Sequence, residues 1–276
     1  MKAHVQIAEW LAVDGRTPDA GRRRLCLGAA AAVGLAGCGT VRERVPLLGC
    51  YGLAPFSSSA RLGGLPDCWQ EQVMRRDLPS TRYQLVEHDS RTVVHAMANR
   101  STSGLRCDVD IDPVARPWLS WSWRVDSVEP TATVAVDELD DCPTRVILAF
   151  DGDSALLTQR ERMFQELVGT LTGYALPFAT LMYVWDGRAE VGSVWTYPRT
   201  ARVRYQVVET GTARAGRWLS YRRNVADDYR RVFGAEPGRL RSVGIMTDTD
   251  DLGTRAEAWY GDLVLDADAA PPVTAP

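Results

Sequence analysis

From Trp118 to Val125 apolar and polar residues alternate without a break, with Leu119, Trp121, Trp123 and Val125 set against Ser120, Ser122, Arg124 and Asp126. Successive strand side chains point to opposite faces, so a period of two places one set in a core and the other in water. β-Rich runs at Tyr83 to Val86 and Thr92 to Ala98, separated by Asp89-Ser90, read as a hairpin. Further strands are expected at Arg145 to Phe150, Thr180 to Trp185, Val203 to Glu209, Trp218 to Arg223, Leu240 to Thr247 and Ala256 to Leu265. Many short strands with turns between them predict a mostly β protein, an antiparallel β-sandwich.

Two short helices are inserted in that series. Thr158 followed by Glu161 forms a capping box, in which hydroxyl and carboxylate each satisfy a free backbone N–H at the helix start. Met163, Phe164, Leu167, Val168 and Leu171 then share one side, which would pack against a sheet. The second helix begins near Asn224, carries Asp227 and Asp228 in its first turn and stops at Gly234, with Pro237 beyond it.

The N-terminal pattern is different. Gly21-Arg22-Arg23-Arg24 precedes the small, apolar run Ala29 to Gly34, the order of charged and hydrophobic regions in an export signal. The run is short for a bilayer span. Leu35-Ala36-Gly37-Cys38 follows and resembles the lipobox of bacterial lipoproteins, which implies cleavage before Cys38 and lipid on its thiol; a plain signal peptide with an incidental cysteine is the alternative. Gly39 after the anchor, by resemblance to lipoprotein sorting, favours the outer membrane facing the periplasm. Export by the general or the twin-arginine route fits the arginines equally. The expected organisation is a signal over residues 1–37, a tether over 38–65, a β-sandwich domain over 66–266 and a loose tail over 267–276.

The 276 residues are 45% hydrophobic and 24% charged, which suits one globular domain rather than a disordered or polytopic chain. A net charge of -3 without a basic block makes nucleic acid an unexpected partner. With Cys26 leaving in the signal and Cys38 lipidated, Cys50, Cys68, Cys107 and Cys142 remain as disulfide candidates, Cys68 to Cys107 being the first choice. Buried free thiols are the other reading. No C-x-x-C pair supports zinc.

Several phrases in order resemble an exported bacterial family catalogued as domain of unknown function 3047. They are Pro117 to Val125, Asp140-Asp141 through Arg145 to Phe150, Leu181 to Trp185, Arg223-Asn224-Val225 with Asp228-Tyr229 and Phe233-Gly234, and Gly244 to Asp250. The resemblance spans Trp69 to Leu265 and implies an envelope β-sandwich related to carbohydrate-binding jelly rolls, so the expected fold is jelly-roll-like. It supplies no activity.

No nucleophile elbow, H-E-x-x-H, P-loop or dinucleotide glycine motif occurs, and only His88 and His95 follow the signal. Asp248, Asp250 and Asp251 beside Gly253 could wrap Ca²⁺, a cation that takes oxygen ligands, although Trp259 stands where an EF-hand would end in glutamate; otherwise the segment is a solvated turn, and no other cofactor is expected. Asp140, Asp141, Arg145, Arg222, Arg223 and Asp228 could line one face with ion pairs. Trp185, Trp195 and Tyr197 are candidates for stacking on sugar rings if exposed, and for core filling if not. The expected function is that of a lipid-anchored, non-catalytic envelope module binding glycan or another envelope component. A carboxylate-dependent hydrolase of glycans or esters is the alternative.

Overall fold

The computed structural model describes residues 52–59, 61–73, 77–172 and 176–268. Along the chain its strands are β1 (Gln70–Val73), β2 (Arg82–His88), β3 (Arg91–Asn99), β4 (Thr102–Ile111), β5 (Trp118–Val125), β6 (Thr144–Phe150) and β7 (Ala179–Asp186). They continue as β8 (Val194–Thr196), β9 (Val203–Thr210), β10 (Leu219–Asn224), β11 (Leu240–Asp248), β12 (Arg255–Tyr260) and β13 (Val264–Asp266). A seven-stranded sheet runs β1-β4-β11-β6-β7-β9-β8, and a six-stranded sheet runs β10-β5-β12-β3-β2 with β13 beside β5. The outgoing strands β3, β4 and β5 pair in turn with the returning β12, β11 and β10, alternating between the sheets. This is a long hairpin rolled upon itself, the jelly-roll arrangement. Among the described strands β7 and β9 form the one parallel pair, a departure from the purely antiparallel expectation.

The expected β2–β3 hairpin forms. Asp89 and Ser90 hold φ of 51° and 58°, the type I′ turn whose twist matches that of the strands it joins. Alternation in β5 also holds, with Leu119, Trp121, Trp123 and Val125 buried between the sheets. There Trp121 stacks between Tyr183 and Tyr221, at 5.1 and 5.2 Å.

Helix α1 (Gln159–Thr172) opens on the expected capping box, with Thr158 N–H donating to Glu161 Oε2 at 2.8 Å and Glu161 N–H to Thr158 Oγ1 at 3.2 Å. Its apolar stripe splits, however. Phe164 and Val168 turn inward, while Met163 and Leu167 are 61% and 57% exposed, because rows one residue apart lie about 100° apart around the axis. Helix α2 (Val225–Phe233) has Asn224 Oδ1 capping Asp227 N–H at 3.0 Å and ends on Gly234 at φ 67°.

Two expectations change. The folded unit reaches into the segment read as tether: Phe56 is wholly buried, Trp69 Nε1–H donates to the Ala54 carbonyl at 3.1 Å, and Ser57 N–H donates to Asp262 Oδ1 at 2.9 Å. The Cys68–Cys107 bridge is absent. Cys68 is disulfide-bonded, but Cys107 is a free thiol on the core side of β4, turned toward the Gly52 carbonyl at 3.6 Å, and Cys142 is also free and buried. Cys38 and Cys50 lie outside the described residues, as do the signal and the end of the tail.

Candidate functional site

Strand parity puts Arg145 of β6 and Asp248 of β11 on the outer face of the seven-stranded sheet, under the segment that carries Asp140 and Asp141. Arg145 is fully buried. Its Nη2 donates to the Asp140 carbonyl at 2.5 Å and to Asp140 Oδ1 at 3.1 Å, and lies 2.8 Å from Asp248 Oδ1 at an angle too poor for a hydrogen bond. Tyr205 O–H donates to Asp140 Oδ2 at 2.7 Å. The Asp141 carboxylate accepts from the N–H groups of Asp251 and Leu252, at 3.1 and 2.7 Å, and so pins the turn after β11. Asp141, Asp248 and Asp250 each offer an oxygen within 4.8 Å of the others, a set that a hard cation could share.

One guanidinium does not neutralise so many carboxylates. Burial, partly offset by Arg145 and the Tyr205 hydrogen bond, pushes Asp140 up to about 6. Burial and then the Asp250, Asp141 and Asp140 charges push Asp251 up to about 8. The folded state therefore holds protons that the unfolded chain releases near pH 4, so this contribution to stability is complete below pH 4 and is lost as pH rises through 6 and 8. Asp251→Asn is expected to raise stability by about 1–2 kcal/mol at pH 8, partial exposure screening the rest, and to change nothing at pH 4. Urea unfolding at the two pH values checks this; an equal effect at both would remove the titration account. Protons and Arg145 already offset the charge, so melting curves in excess Ca²⁺ and in chelator are expected to coincide.

Arg223 and Asp228 do not join this group, contrary to the single ion-paired face expected. Arg223 makes a fork to Asp228 at 2.5 and 2.6 Å, and Asp228 also accepts from Tyr183 O–H at 2.8 Å, on the core side of the sheet whose outer face carries Arg145. Arg222, one residue before Arg223, points to the outer face of the other sheet. The parity of strands separates the three.

The aromatic candidates also divide. Trp185 is 0% and Tyr197 3% exposed, so both fill core; Trp195, at 38%, is open on the edge strand β8. A cavity of about 310 Å³ between α1 and the seven-stranded sheet is lined by Arg106, Phe178 and Arg241 among others, but its arginines are engaged, Arg106 by Asp108 at 2.7 Å and Arg241 by Asp151 at 2.6 Å.

Among the described residues no helix or strand packs over the outer face of the six-stranded sheet, which carries what the sequence reading passed over. Trp118, Ser120, Ser122 and Arg124 of β5 face out beside Trp259 of β12, His95 of β3, His88 and Gln84 of β2, and Trp218 just ahead of β10, all half-buried. Trp259 stands between its cross-strand neighbours, stacked on His95 at 4.7 Å with the Arg124 guanidinium 5.2 Å from its ring. His88 contacts Trp218 edge-on at 5.8 Å, and Trp218 Nε1–H donates to Asp89 at 3.0 Å. The signal was present in the polar half of the β5 alternation; what was missing was which strands lie beside it.

Two sheets in jelly-roll order define the chain as a β-sandwich. The chain belongs to the family described as protein of unknown function (DUF3047), whose model matches residues 67–264. No curated protein matches it. Among solved structures it is similar to a family 29 carbohydrate-binding module mutant complexed with mannohexaose, at 8% identity over 80% of this chain and 95% of that one, TM-score 0.35. A carbohydrate-binding module specific for non-crystalline cellulose gives 11% identity over 80% and 99%, TM-score 0.35. The K1 cleaved adhesin domain of Lys-gingipain from Porphyromonas gingivalis gives 8% over 78% and 97%, TM-score 0.35.

Proposed function

We propose that this protein is a lipid-anchored module of the bacterial envelope that binds glycan without catalysis, on the outer face of the six-stranded sheet. The observation that carries the reading is the half-buried row of rings from Trp218, Trp259 and His95, with Trp118 at the other end of β5, set among the hydrogen-bonding side chains of Ser120, Ser122 and Gln84. Sugars present C–H faces and hydroxyl edges, and such a surface offers partners for both. The hydrolase alternative has less to rest on, since Asp140 and Asp248 are buried against Arg145. Polysaccharide affinity electrophoresis of the full chain carrying Cys38→Ala tests the reading: retardation by at least one polymer is expected, and Trp218→Ala should weaken it tenfold or more. Retardation by none of a broad panel would sink it.

The anchor has its own test. Among the described residues no helix is long and apolar enough to cross a membrane. Lipid on Cys38 would hold the domain at the surface through acyl chains alone. Cys38→Ala is expected to release the protein from membranes with its melting temperature unchanged; retention of the unlipidated form would point to a second membrane contact.

A further inference from the structure

We infer that the ligand of this face is an acidic glycan, one carrying carboxylate, phosphate or sulfate groups, a step that rests on the glycan-binding reading above. Parity turns five arginines outward from the six-stranded sheet: Arg82 on β2, Arg91 on β3, Arg124 on β5, Arg222 on β10 and Arg255 on β12. The outward carboxylates are Glu257 and Asp266 on the strands, Asp126 just past β5 and opposite Glu257, and Asp89 in the hairpin turn. Glu257 lies 3.0 Å from His95 Nε2, and Asp89 is taken up by Trp218 and by His88 Nδ1 at 3.1 Å. Among the described residues, none of the five arginines has a carboxylate within ion-pair distance. Elsewhere in the domain ion pairs occur, as in Arg202–Glu161, Arg214–Glu209, Arg223–Asp228 and Arg239–Asp110. In a chain of net charge -3, this face thus carries five arginines against four carboxylates.

Three of these arginines are held in place by rings. The Arg91 guanidinium sits 4.5 Å over Trp218, that of Arg124 5.2 Å from Trp259, and that of Arg222 5.1 Å over Trp118. Stacking on a ring restrains the guanidinium and leaves N–H edges for an anion, and the planar fork matches carboxylate, sulfate and phosphate oxygens. Among the described residues the aliphatic insertion that a bilayer would need is not provided: of their exposed large apolar side chains, only Val264 belongs to this sheet. A polyanion whose sugar rings lie against Trp218 and Trp259 answers both the charge and the aromatic surface.

The test compares polygalacturonate with its methyl-esterified form, a neutral mannan and vesicles rich in anionic lipid, using the full chain with Cys38→Ala. Polygalacturonate is expected to bind at low salt and to weaken at least tenfold in 0.5 M NaCl, which screens exposed charges. Arg91→Gln with Arg124→Gln should cost a further tenfold or more, with the melting curve showing the variant folded; Arg160→Gln with Arg162→Gln, on α1, should cost nothing. Equal binding of the esterified and acidic polymers would overturn the acidic assignment while leaving glycan binding intact. Binding of no polymer would overturn both. Capture by anionic vesicles with no polymer bound would replace the glycan by a membrane surface.

Discussion

Arg145→Met is expected to destabilise the domain by about 3–5 kcal/mol at pH 8, the cost of leaving buried carboxylates without their cation. Methionine keeps the apolar stem, so the loss reports charge and not volume. Arg145 lies against Asp140 and Asp248, both buried, and burial followed by the neighbouring carboxylates already lifts Asp248 well above the ordinary carboxylate range, with only Arg145 pulling it back. Without that cation both acids can fold only as neutral groups. The deficit should therefore shrink toward pH 5, where protons take the place of the guanidinium, and urea unfolding at both pH values reads the difference. A cost below about 1 kcal/mol at pH 8 would mean that the cluster is solvated well enough to stand alone.

The second large effect is expected far from that site. Phe56→Ala should cost about 3–5 kcal/mol, because a wholly buried phenyl leaves both lost transfer energy and a cavity. Phe56 is 0% exposed, and its ring lies 4.9 Å from that of Trp69 in the core between the sheets. The same change in a mere tether would be silent. A shift in the melting temperature of less than a degree would return residues 53–58 to that role.

The strands were legible wherever local alternation met turn chemistry. The β5 pattern, the Asp89-Ser90 turn and the Thr158–Glu161 cap each depend on residues close in the chain, and each appears where expected. β1, β4 and β8 were not foreseen. β8 is three residues long, and β4 begins with the buried run Thr102 to Leu105, so neither shows a clean period of two. The single strand expected over Ala256 to Leu265 is broken into β12 and β13 around Gly261, whose backbone passes so close to Ser122 that a Cβ there would meet its Oγ at 2.3 Å.

The candidate surface divides in the same way. By itself the sequence determined that Arg124 and Ser122 would face away from Trp123, because parity within a strand is a property of the covalent backbone. It also determined that acids would crowd Asp248 to Asp251. Only the tertiary structure decided that Trp259 would stand between His95 and Arg124, residues 164 and 135 positions away being brought beside it by the pairing of β12 with β3 and β5. It alone decided that Trp185 and Tyr197 would be core while Trp218 stayed half-buried at the surface, and that Asp140 would reach Asp248 through Arg145. The physical reason is that strand order in a rolled hairpin is set by how two sheets bury their apolar faces together, a condition on the whole chain that no local window contains.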